Sequence, residues 1–169
     1  MAIPQSKIIL GLTLLLALVV KLHYSVATAD DLVWVLAPTT WLVELFSAIP
    51  FHFEVGRGYV TRDLPVVIGP GCAGLNFFII TLCASLFTFI DRFAGRRLIG
   101  WALLVLLAYL LTLLVNAFRI VGGILLLRLG SEVGLQTDGL LHSAQGMLFF
   151  FSFLVLYLLL LQRFFNKRV

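Results

Sequence analysis

The chain predicts an all-α polytopic membrane protein, with about four transmembrane helices plus an outer-surface helix and a short extracytoplasmic β-hairpin. Three observations carry that reading. Of the 169 residues, 62% are hydrophobic and only 12% charged, which leaves too few polar groups to clothe a water-soluble fold of this size. Four stretches, at about 7–27, 71–90, 98–120 and 143–162, approach the ~20 apolar residues that a bilayer crossing needs. The basic residues gather near the ends of those stretches, so the net charge of +4 points to anionic headgroups and excludes nucleic acid as the expected partner. With no internal repeat or low-complexity segment, residues 1–169 read as a single integral membrane domain.

The first stretch follows Lys7 and continues past Lys21-Leu22-His23 to the small residues Ala27-Thr28-Ala29. Those small residues resemble a signal-peptide cleavage site, but retention as a first span is the expectation. Over 31–50, Asp31, Pro38 and Glu44 interrupt an apolar run, and Trp34 and Trp41 suit an interface. A surface helix over 38–49, with Pro38 in its first turn, is therefore expected instead of a fifth crossing. From 51 to 68, Phe51-His52-Phe53-Glu54-Val55-Gly56-Arg57-Gly58-Tyr59-Val60 alternates apolar and polar as a first strand, and after Thr61-Arg62-Asp63 comes Leu64-Pro65-Val66-Val67-Ile68. The pattern reads as a hairpin whose second strand Pro65 confines to an edge or irregular role.

The second span begins at Gly71-Cys72-Ala73-Gly74, and the basic loop Asp91–Arg97 follows it. The third apolar stretch, Leu98 to Leu129, would be ~48 Å long as one helix against a ~30 Å hydrocarbon core. A break at Gly122-Gly123 is the expected solution. After the fourth span come Arg163, Lys167 and Arg168. The positive-inside bias makes both basic segments cytoplasmic, and Lys7 agrees. Cys72, Arg119 and His142 then all fall near the outer face.

A thiol, a fixed cation and a titratable base form a set capable of acyl chemistry. Cys72 lies among glycines at a helix entrance, where the dipole favours a thiolate and backbone N–H groups of Ala73 and Gly74 can support an oxyanion. The bland alternative is a small buried hydrophobe. Cys83, eleven residues on and mid-span, is assigned to packing; at roughly 16 Å along a helix it is beyond disulfide reach of Cys72. Arg119 shares a helix face with Asn116, and the pair can offer a guanidinium and an amide to one carbonyl. Snorkelling to headgroups is the competing account of the arginine, although Asn116 has no reason to face lipid. His142 opens the last span, with Asp138 one turn before it as a cap or an orienting group. A haem or metal site built from His23, His52 and His142 finds no ligand spacing to support it. Glu44 and Arg57 read equally as substrate contacts or surface charges.

Gly71-Cys72-Ala73-Gly74, then Asn116-Ala117-Phe118-Arg119-Ile120, then His142 with Gly146 four residues on, resemble in order and span placement the Cys, Arg and His motifs of the exosortase and archaeosortase family. The short length is most similar to its compact exosortase K members. The resemblance covers roughly residues 30 to 165. It implies a membrane-embedded cysteine transpeptidase or protease that cleaves C-terminal sorting signals of exported proteins through a thioester, at the outer face of a bacterial cytoplasmic membrane. Under it, Cys72 is the nucleophile, Arg119 the stabilising cation and His142 the base, with no metal or organic cofactor. Ala73 stands where the family commonly has serine, and larger members have about eight spans. The alternative is a non-enzymatic scaffold subunit or a small carrier that binds anions through Arg119 and Arg128. A carrier of that kind calls for paired halves or broken helices, which the sequence lacks.

Overall fold

A computed structural model describes residues 5–62, 64–89, 97–133 and 139–166, with side chains described over 7–62, 64–89, 98–128 and 146–166. Five helices carry most of the chain: α1 (Gln5–Val26), α2 (Val33–Ser47), α3 (Leu75–Phe89), α4 (Arg97–Val133) and α5 (Gly139–Asn166). Four helical segments are long and apolar enough to cross a bilayer: Lys7–Val26, Pro70–Phe89, Leu98–Arg128 and Gly146–Asn166. These match the four stretches expected from hydropathy, differing mainly at the ends of the last two. In such segments every backbone polar group is satisfied within the helix, which is what hydrocarbon demands.

Three expectations are corrected. The helix read as 38–49 starts at Val33, so Pro38 lies inside it and not in its first turn. Val35, Leu36 and Val43 are buried along its length; packing of this face outweighs the backbone bond that a proline removes. The hairpin is a three-stranded antiparallel meander, β1 (His52–Glu54), β2 (Gly58–Val60) and β3 (Val67–Ile68). Its tight turn falls inside the segment read as one strand, because Gly56 takes φ 77, the left-handed value that few other residues accept. Finally, α4 runs unbroken through Gly122-Gly123 for 37 residues, about 55 Å. Paired glycines weaken a helix in water, but in an apolar setting breaking backbone bonds costs more than keeping them.

The chain forms two compact units. One contains α1, α3, α4 up to Thr112 and α5 from Leu154. Its core is Ile9, Phe78, Leu82, Leu86, Phe89, Leu104 and Ala108. Polar pairs tie its helices: Trp101 Nε1 donates to Thr13 Oγ1 at 3.1 Å, Ser85 Oγ bonds Tyr157 Oη at 3.1 Å, and Lys21 Nζ donates to Asn76 Oδ1 at 2.9 Å. Cys83 belongs to this unit. The other unit contains α2, the sheet, the Cys72 turn, α4 from Leu113 and α5 up to Phe153. Stacked rings join its helices, with Phe118 of α4 lying 5.1 Å from Phe46 of α2 and 5.9 Å from Phe153 of α5. All the proposed site residues lie in this second unit.

Candidate active site

The polypeptide reaches Cys72 from the sheet. Tyr59 pairs with Ile68 and Val60 with Val67, which fixes the strand two residues before Pro70. Gly58 makes that pairing possible: its φ is 103, and a methyl group there would sit 2.5 Å from the Ile68 carbonyl oxygen. Pro70–Cys72 then forms one 3-10 turn, with Pro70 at its start, where a missing N–H costs nothing. Gly74, at φ 68, redirects the chain into α3. The Cys72 thiol is a free, half-buried group whose Sγ lies 4.0 Å from the Val67 carbonyl oxygen.

This turn uses its own N–H groups. Cys72 N–H donates to Gly69 O at 2.8 Å and Ala73 N–H to Pro70 O at 3.0 Å. Ala73 is fully buried. Oxyanion support from the Ala73 amide therefore meets an N–H that already has a partner, while Gly74 contributes its left-handed backbone.

Asn116 arrives from α4 and is fully buried. Its Nδ2 donates to the carbonyl oxygen of Cys72, and its Oδ1 accepts from Arg119 Nε at 3.2 Å. The three-residue spacing that put Asn116 and Arg119 on one helix face thus becomes a direct bond. The amide faces protein on both sides, as a polar group at this depth should. Both ends of the side chain are engaged by the protein itself.

Arg119 is seated against α5. Its guanidinium carbon lies 5.5 Å from the Phe150 ring centroid, in cation–π range. A methyl group on Gly146 would lie 3.3 Å from Arg119 Cδ and 3.6 Å from Nη1. Gly146 therefore admits the arginine and Phe150, one turn on, backs it. Phe150 went unrecognised in the sequence, although its four-residue spacing from Gly146 marks one helix stripe. His142 stands one turn before Gly146 on the same helix, and its side chain lies outside the described residues. Asp138 and the basic loop residues 91–96 also fall outside them.

The remaining candidates have local partners. Glu44 Oε1 accepts from Phe51 N–H at 2.7 Å, closing the exit of α2, and Arg57 Nη1 pairs with Glu54 Oε2 at 2.7 Å across the β1–β2 turn. His52 Nε2 lies 3.4 Å from the same Glu54 carboxylate. His23 is exposed on α1 and His52 on β1, and among the described residues no group of three His, Cys, Asp or Glu side chains could hold a metal. The second unit thus brings together a thiol-bearing turn, a buried amide and a guanidinium. Set against known proteins, the chain matches no family model, no curated protein and no solved structure.

Proposed function

We propose that this chain is a membrane-embedded cysteine transpeptidase or protease, acting on exported proteins whose C-terminal signal is a short motif, a hydrophobic helix and a basic tail. The single observation that supports the reading best is the hydrogen-bonded path from the Cys72 carbonyl through Asn116 to Arg119. It joins two of the three ordered motifs that resemble the exosortase and archaeosortase family, and Gly146 beside Arg119 brings in the helix that carries the third.

In this mechanism the Cys72 sulfur attacks the scissile carbonyl carbon as His142 takes the thiol proton. Arg119 stabilises the oxyanion that forms. Collapse of the tetrahedral intermediate breaks the C–N bond, and His142 returns the proton to the leaving amine. The resulting thioester passes to water, giving a carboxylate, or to an amine, giving a new amide; either step regenerates the thiol. The substrate's own apolar tail docks among the spans, which brings its cleavage site to the level of Cys72.

The test is co-expression with an exported reporter carrying such a tail, followed by mass analysis of the reporter's new C-terminus. Cys72→Ala and Cys72→Ser are expected to abolish processing, and Cys83→Ala to leave it intact. Hydroxylamine should release a reporter acyl group from Cys72 in the wild type only. Undiminished processing by a folded Cys72→Ala protein overturns the proposal.

A further inference from the structure

The buried amide of Asn116 has no capacity left for a substrate. Its donor nitrogen meets the Cys72 carbonyl and its acceptor oxygen meets Arg119 Nε. A primary amide offers two N–H groups, but the residue is fully buried, so the second has no open path to a peptide in the site. Arg119 differs: it is only partly buried, its Nε is bound, and its Nη groups have no hydrogen-bond partner among the described residues. The Phe150 ring, the Gly146 backbone and the Asn116 oxygen limit the guanidinium from three directions.

From this arrangement we infer that Asn116 is a positioning residue, not a substrate or oxyanion contact. It locks the Cys72 turn to Arg119 and leaves the Nη groups, held by Gly146 and Phe150, as the donors that meet the reacting carbonyl. The inference rests on the proposed acyl chemistry for its meaning, but the lock itself is separable from that chemistry. Asn116 holds two different bonds, and they can be broken one at a time. Asn116→Asp keeps an oxygen acceptor for Arg119 Nε and loses the donor to the Cys72 carbonyl. Asn116→Ala loses both.

Two readouts on the full-length protein in detergent report the bonds without any substrate. The rate of Cys72 alkylation by iodoacetamide, in a Cys83→Ala background, reports release of the turn. The Nε–H resonance of Arg119, assigned through Arg119→Lys, reports the second bond by its protection from solvent exchange. The expected result is a several-fold change in alkylation rate in both variants, with Nε–H protection retained in Asn116→Asp and lost in Asn116→Ala. Unchanged alkylation in Asn116→Asp, or retained protection in Asn116→Ala, overturns the lock.

The tail-bearing reporter then separates positioning from contact. A positioning role lowers kcat in Asn116→Asp with KM unchanged, whereas a raised KM with kcat preserved makes Asn116 a substrate contact and overturns the inference. If the wild type fails to process the reporter while both bond readouts behave as expected, the proposed function fails and the lock stands.

Discussion

Gly146 is the position where one added methyl group distinguishes folding from chemistry. Alanine is favoured over glycine in a helix by about 1 kcal/mol, so Gly146→Ala should leave the helix intact and the thermal midpoint unchanged or slightly higher. The new methyl would nevertheless lie 3.3 Å from Arg119 Cδ, and the arginine has little freedom to move away. Its Nε is bound to Asn116 at 3.2 Å and its face rests on Phe150. Processing of a tail-bearing reporter should therefore fall, and a loss of tenfold corresponds to about 1.4 kcal/mol of transition-state stabilisation. Gly146→Leu should lose processing altogether while circular dichroism still reports a helical protein. Equal processing by wild type and Gly146→Leu would remove the Gly146 seat from the mechanism. The sequence marked Cys72, Asn116, Arg119 and Gly146 as unusual residues in apolar surroundings. It could not mark the engagement of the Asn116 amide by the Cys72 carbonyl, because that contact crosses 44 positions of chain.

The meander is the element that delivers Cys72, and Gly58 is its most constrained point. Any side chain there would adopt φ 103 and press a Cβ to 2.5 Å from a backbone oxygen, which cannot swing aside as a side chain can. Strain of this kind costs on the order of 1–3 kcal/mol, enough to open a pairing of two residues. Gly58→Ala should free β3 from β2, accelerate amide exchange across Tyr59–Val60 and Val67–Ile68, and change the alkylation rate of Cys72. Gly11→Ala is the matched control: a methyl there meets nothing within 4 Å, and it should be neutral or mildly stabilising. If Gly58→Ala leaves exchange and alkylation at wild-type rates, the sheet does not hold the thiol turn. The elements also show which kinds of signal sequence carries. Hydropathy located the four long helices because length and apolarity are sufficient for them. The start of α2 and the continuity of α4 were missed because Pro38 and Gly122-Gly123 are breakers in water, and packing together with backbone satisfaction overrides them here.

The orientation expected for the whole chain rests on two considerations, one of length and one of charge. A helix crossing of ~30 Å that starts at Leu98, directly after the basic residues, would end near residue 118 and put Asn116 and Arg119 at the far boundary of the third span. The Cys72 carbonyl bonds Asn116, so the entrance of the second span would lie at that same boundary. The charges then decide which boundary it is. Arg92, Arg96 and Arg97 lie between the second and third spans, and Arg163 closes the fourth, so the positive-inside bias would put those ends on the cytoplasmic side. Under the proposed function the site then faces outward, where an exported substrate would meet it. In spheroplasts expressing the Cys83→Ala protein, a membrane-impermeant maleimide should label Cys72 without permeabilisation, and prior treatment with an impermeant thiol reagent should block later labelling after lysis. Labelling that requires permeabilisation would reverse the orientation. The bond between Cys72 and Asn116 would survive that result, because it fixes only their common depth, but the outward-facing acyl chemistry would not.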